Sequence, residues 1–384
     1  MNIINMVSYI SLVGAVCGTA ALLTVLSVFN GFESLTESIY GIFDPELKVT
    51  PETGKTFVID SVKLAKIAAL PEVDNVSATL DENVLLKYRN QQTIALMRGV
   101  DDNYEASTAI GNSIYDGSFA MHRGQYPAAV FGYGVAAKLG IFNPRSDEPV
   151  HVNVPKREGK VSLNNPAASI NTLSLLPAGI FEVEKSFDDT YVFAPIEFVQ
   201  NLLDRESQAS SLEIKLKPEA DNNSVLKAVA DIVGDDFRVK TRYQQNEALY
   251  RMMKSEKLIV YAILILIVVI LSFNISGSLS MLITEKKEDI ATLKCMGASN
   301  KLIRRIFLSV GLLVTFTGIA AGILVGLSIC LLQQHFGLLK LPGANLLVSA
   351  YPVKVLVSDL LLVIASVAVI GYFASIVSVY KLRT

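Results

Sequence analysis

Gly54-Lys55-Thr56 matches the end of a nucleotide phosphate loop, G-x-x-x-x-G-K-[ST], whose backbone amides cradle phosphates while its lysine reaches the terminal ones. The first glycine of that loop would fall at position 49, which is Val49, so the segment reads as a turn. His122, His151 and His335 lie far apart and form no metal-ligating motif. Cys17 and Cys330 sit in apolar runs and Cys295 in a basic stretch, so neither a disulfide framework nor a cysteine metal motif is present. Neither G-x-S-x-G nor H-E-x-x-H occurs. One stretch stands apart from these near misses. Residues 284–300 are charged at first, then amphipathic, with Ile290, Leu293 and Met296 three residues apart, and then stopped by Gly297. Such a short helix is either a simple surface helix, or one that lies on a membrane or fits a groove on a partner.

The elements around it are membrane spans. The 384 residues are 51% hydrophobic and only 18% charged, with mean hydropathy +0.42, too apolar for an ordinary soluble chain. A net charge of −2 gives no field for nucleic-acid binding. A bilayer core needs about 20 apolar residues in helix. Four segments qualify, predicted as spanning helices over 1–32, 258–284, 306–338 and 355–380. The first lacks a basic leader and exceeds a signal peptide's apolar stretch of about 7–15 residues, so it is read as a retained helix. The loop 285–305 holds Lys286, Lys287, Lys294, Lys301, Arg304 and Arg305, and the tail 381–384 holds Lys381 and Arg383. The positive-inside rule puts both in the cytoplasm. Parity then puts 33–257 and the short loop 339–354 outside.

Residues 33–257 read as a folded α+β domain. Period-two alternation over Val150–Val154 and Ser211–Leu216 predicts half-buried strands, and Leu47-Lys48-Val49 and Leu85–Tyr88 look like strands too. His151 and Glu213 fall on polar faces. Val62, Ala65 and Ala69 suggest one helix, Val225, Val229, Ile232 and Val233 another closed by Gly234, and Pro195 opens a third with Val199, Leu202 and Leu203 on one face. The Ser/Asn/Pro-rich section around 161–174 reads as a protruding loop, either merely solvated or a docking finger. Gly14 and Gly18, and Gly318, Gly322 and Gly326, form small-xxx-small patterns for close helix approach. Asn274 and Asp359, costly in lipid, should face protein or the interface.

From Glu285 to Ser299 the chain resembles the cytoplasmic coupling helix of FtsX/MacB-like ABC transporter permeases, E-[KR]-x-x-[ED]-I-x-x-L-[KR]-x-[ML]-G-A-[ST]. The first helix, with Val25-Leu26-Ser27-Val28-Phe29-Asn30-Gly31-Phe32-Glu33, resembles the lipoprotein-releasing (LolC/LolE type) permeases more specifically. Phe131-Gly132 and Val135–Gly140 resemble their outer domain. Such permeases usually carry a basic amphipathic stretch ahead of this helix. Here the helix begins at Met1, so either the native start lies elsewhere or that element is lacking.

The resemblance implies an integral membrane α-helical protein of four transmembrane helices with a large α+β extracytoplasmic domain of MacB-like periplasmic type, in the bacterial inner membrane. It implies that Glu288, Ile290, Leu293, Met296, Gly297 and Ala298 contact a cytoplasmic ABC ATPase dimer. That partner would use ATP and magnesium, and this chain would bind no cofactor and be no enzyme. It implies a second permease subunit, either a second copy or a paralogue, and an outer-leaflet lipoprotein drawn into a cavity between the first and second helices of the two subunits, lined by Leu22, Val25, Phe29 and Phe32 with Tyr261, Leu264, Ile265 and Val268. By position it implies a hook at Asn164, Asn165, Pro166, Ala167, Ala168, Ser169, Ile170 and Asn171 that catches a periplasmic lipoprotein carrier. Nucleic acid is no partner. The alternatives are MacB-like export of a peptide or small molecule, and FtsX-like signalling to a periplasmic hydrolase. The large outer domain weighs against the latter.

Overall fold

A computed structural model describes residues 3–156, 170–340 and 350–380. They gather into two units, one built from residues up to Thr36 together with those from Leu249 onward, the other from Glu37–Ala248.

Four helices are long and apolar enough to cross a membrane, Ile3–Phe43, Glu247–Glu285, Asn300–Phe336 and Val357–Tyr380, and they lie in the first unit apart from the ends Glu37–Phe43 and Glu247–Ala248, which belong to the second. The first two run past the bounds expected from hydropathy. The polar residues of 33–43 and 247–257 contain one glycine and no proline, so nothing ends the helix where the apolar stretch ends. Ser299 caps the third helix by accepting a hydrogen bond from Leu302 N–H, and Gly337 closes it. The small-residue stripe of the third helix lies against the first. Gly318 meets Ala15, Gly322 meets Val16 and Thr19, and Gly326 meets Ala20 and Leu23. Gly14 and Gly18 instead line a small apolar cleft with Val268, Ile275 and Val367. Two apolar clusters hold the bundle. One gathers Leu22, Leu26, Leu264, Val268, Ile319, Val363 and Val367; the other gathers Ile275, Leu279, Ile290, Ile303, Phe307 and Val379.

The second unit is a mixed sheet with helices packed on it. Its strand order runs Phe237–Thr241, Leu47–Pro51, Ser211–Leu216, Val73–Tyr88, Gln91–Val100, Tyr191–Pro195, Tyr126–Gly132, Ile170–Phe181, Ile114–Gly117. The pairs Gln91–Val100 with Tyr191–Pro195 and Tyr126–Gly132 with Ile170–Phe181 are parallel; the other pairings along this order are antiparallel. Val150–Pro155 buries Val150, Val152 and Val154 and turns His151 outward, as alternation predicts. Ser211–Leu216 departs from its expected alternation. Glu213 is fully buried, because this strand lies in the sheet interior with both faces covered. Its carboxylate faces Arg98 and Lys48, each at 3.5 Å, and Arg98 also binds Asp81 through two hydrogen bonds of 2.9 and 2.8 Å. Burial pushes the Glu213 carboxyl up against the pull of those two cations.

The helix Ser61–Ala68, capped by Asp60, buries Ile67, while Val62, Ala65 and Ala69, whose spacing suggests the helix, are exposed. Asn222–Val233 and Ile196–Leu202 do bury Val225, Val229 and Val233, and Val199 and Leu202. A second core of aromatic rings surrounds Phe43 at the end of the first long helix. Phe187 stacks on it at 4.1 Å, with Phe181 and Phe193 around them.

Candidate coupling and transport site

The amphipathic stretch folds as a helix, Lys287–Cys295. It ends because Gly297 takes φ +94°, a left-handed conformation that disfavours any side chain, while Gly297 N–H donates to Lys294 O and Ala298 N–H to Leu293 O at 3.0 and 2.9 Å. The residues with an expected role there divide. Ile290 is buried with Ile303, Phe307 and Val379, so it anchors the helix to the bundle and offers no contact surface, contrary to expectation. The three-residue spacing of Ile290, Leu293 and Met296 fits the inner side of a helix and its rim equally, and it is the packing on the third and fourth helices that separates them. Glu288, Leu293, Met296 and Gly297 are exposed, Met296 at 79%, and Ala298 is half-buried. The result is a short helix pinned by one residue and open along the rest of its length.

The residues expected to line the lipoprotein cavity divide as well. Leu22, Leu264 and Val268 are buried in the bundle core against Ile319, Val363 and Val367, with Val268 also lining the small cleft beside Gly14 and Gly18. They serve to hold helices together because a tight interior needs filled space. Val25, Phe29, Phe32, Tyr261 and Ile265 remain half-buried. Tyr261 Oη shares a hydrogen bond with Ser366 Oγ at 2.5 Å, and Phe32 meets Tyr351 edge to face at 5.7 Å.

Of the expected hook, residues 164–169 lie outside the described residues. Ile170 and Asn171 belong to the strand Ile170–Phe181, which pairs antiparallel with Val150–Pro155 as far as Pro155 opposite Ile170. The loop expected over 161–174 therefore gives way to strand at Ile170, where the ladder supplies backbone partners. Asn171 Nδ2 donates to Leu202 O and to Asp204 at 2.9 and 2.8 Å, tying the strand's beginning to a neighbouring helix end.

The Asn30–Glu33 stretch, legible in the sequence only as a family motif, is dense in contacts. Asn30 is 2% exposed and uses its whole amide. Nδ2 donates to Asp359 Oδ2 at 2.7 Å and to Lys354 O at 3.3 Å, and Oδ1 accepts from Lys257 Nζ at 2.6 Å. Gly31 abuts the backbone of Pro352. Glu33 lies 3.7 Å from Lys257, which is also 3.8 Å from Asp359. Asp359 thus faces protein, as its cost in lipid requires. The Asn274 side chain is exposed on this chain, and its backbone carbonyl accepts from Ser11 Oγ at 2.9 Å.

Comparison with known proteins places this geometry. A family model described as the MacB-like periplasmic core domain matches residues 8–232, more than half of the chain, and one described as the FtsX-like permease C-terminal region matches 261–384. The chain is 22% identical to the lipoprotein-releasing system transmembrane protein LolE of Haemophilus influenzae, over 97% of this chain and 91% of that one. It is 26% identical to the lipoprotein-releasing system transmembrane protein LolC of Neisseria meningitidis, over 84% and 76%. The periplasmic region of MacB from Actinobacillus actinomycetemcomitans aligns with a TM-score of 0.39 at 12% identity, over 56% of this chain and 98% of that one. The chain belongs to the FtsX/MacB-like family of ABC transporter permeases, with four membrane-spanning helices and a large α+β domain of the MacB-like periplasmic type.

Proposed function

We propose that this chain is the permease subunit of an inner-membrane complex that extracts lipoproteins from the outer leaflet and hands them to a periplasmic carrier. The observation that carries the reading is its end-to-end likeness to permeases of lipoprotein-releasing systems. The exposed coupling helix supports the mechanical half. In the proposal Glu288, Leu293, Met296, Gly297 and Ala298 seat in a cleft of a separate cytoplasmic ATPase dimer, which uses ATP and magnesium. Closing of that dimer moves the coupling helix, and Ile290 passes the motion into the bundle. The second spanning helix carries it to the outer domain, residues 33–257 in the proposed layout.

A second permease subunit completes the transport path. Val25, Phe29, Phe32, Tyr261 and Ile265 offer it an apolar wall. Such a wall is needed because each acyl CH₂ exposed to water costs about 0.8 kcal/mol. The segment 164–171 is proposed as the point where the carrier docks.

The test is reconstitution with the ATPase in liposomes that hold a fluorescent lipoprotein. Transfer to a soluble carrier on ATP addition supports the reading. ATP turnover without transfer would refute lipoprotein release.

A further inference from the structure

We propose that Lys257 is a positioning residue for transport, a latch that holds the outer end of the second spanning helix against the first and fourth until the stroke breaks it. The inference deepens the proposed function and rests on it. Three observations carry it. First, one ammonium serves three acceptors on two other helices: Asn30 Oδ1 at 2.6 Å, Glu33 Oε2 at 3.7 Å and Asp359 Oδ2 at 3.8 Å. Second, Asn30 joins the same cluster to the segment before the fourth helix through Lys354 O. Lys354 itself donates its backbone N–H to Ser27 O at 2.9 Å and its ammonium to Ser34 Oγ at 3.3 Å. Third, the second helix is the least buried of the four, and in the turn after Lys257 the half-buried Val260 and Tyr261 pack on the bundle while Leu258, Ile259 and Ile263 are exposed, so this end is held by a thin apolar seam together with the Lys257 cluster.

Parting the second helix from the first strands Asp359, whose side chain is 14% exposed, with only an amide for a partner. Lys257 is 30% exposed, so water reaches it once the helices separate. A fully buried pair would be a permanent brace, whereas a half-wet one can open and re-form.

The test measures a distance in the permease assembled with its ATPase. Spin labels are placed through Thr36→Cys and Ser255→Cys, with the exposed Cys17 and Cys295 replaced by serine and the buried Cys330 retained. The wild type should show one short separation without nucleotide and a longer one with ATP. Lys257→Met should populate the longer separation without nucleotide, about tenfold above wild type. Lys257→Arg should keep the short one. If Lys257→Met fails to assemble, Asp359→Asn takes its place with the same expectation. A variant distribution identical to wild type, or a wild-type separation that ATP never lengthens, would overturn the latch. The readout needs no lipoprotein. A wild type that opens with ATP but delivers no lipoprotein would therefore defeat the proposed function and leave the latch standing.

Discussion

Adding a single methyl group at Gly31 should cost this protein much of its stability. A Cβ at that position would lie 2.2 Å from Pro352 O, 2.4 Å from Pro352 C and 2.7 Å from Val353 N. These are backbone atoms, so no rotamer change relieves the clash, and the segment before the fourth helix would have to retreat by about 1 Å to reach ordinary contact. The retreat would stretch the bonds from Lys354 N–H to Ser27 O and from Asn30 Nδ2 to Lys354 O, and draw Tyr351 away from Phe32. Overpacking of this kind costs about 1–3 kcal/mol. Two weakened hydrogen bonds cost about 1 kcal/mol each, and alanine's helix preference over glycine returns about 1 kcal/mol. Gly31→Ala should therefore lose about 3 kcal/mol, within a factor of two, against unfolding of the detergent-purified protein by SDS titration. Gly277→Ala in the second spanning helix is the control, because nothing lies within 4 Å of its added Cβ. It should be neutral or gain up to about 1 kcal/mol. If both variants unfold alongside wild type, the close approach at Gly31 is wrong.

Ile290→Ala should lower stability by about 2–4 kcal/mol, whereas Leu293→Asp should leave unfolding unchanged and reduce ATPase co-purification and turnover; thermal melts beside ATPase assays separate the two effects. Gly322→Val would drive its side chain into Thr19, 2.6 Å from an added Cβ, and should cost about 1–3 kcal/mol in the same SDS titration. Asp188, pushed up to about 7 chiefly by burial, keeps its proton in the folded outer domain at pH values where the unfolded chain has lost it. Its contribution to stability should therefore fall by on the order of 1 kcal/mol as pH rises from about 4 to about 7, after allowance for solvent screening, and Asp188→Asn should flatten that slope in pH-dependent melts.

What could be read from the sequence follows from what each pattern senses. Hydropathy senses the bilayer, so it found four spans but not their ends, because the polar residues 33–43 continue as helix to Phe43. Alternation senses one covered face, which is why Val150–Pro155 could be predicted in detail and Glu213 could not. In the eight-residue helix Ser61–Ala68 the apolar positions were too few to fix the inner face, and Ile67 won over Val62. The coupling stretch identified itself through motif and spacing, but the spacing of three could not say that Ile290 would be consumed by the bundle. The contacts of Asn30–Glu33 were least accessible. Lys257 and Asp359 lie more than two hundred residues away, and nothing local marks them as partners.

In the proposed function, force made on the ATP side of the membrane reaches a domain on the other side. Cys295, exposed on the coupling helix, offers a direct test in a Cys17→Ser background, since Cys330 is buried. A membrane-impermeant maleimide should label Cys295 in inverted membranes and leave it untouched in cells whose outer membrane alone has been opened. A Ser255→Cys, Cys295→Ser variant should show the reverse. Labelling of Cys295 from the periplasmic side would contradict the account.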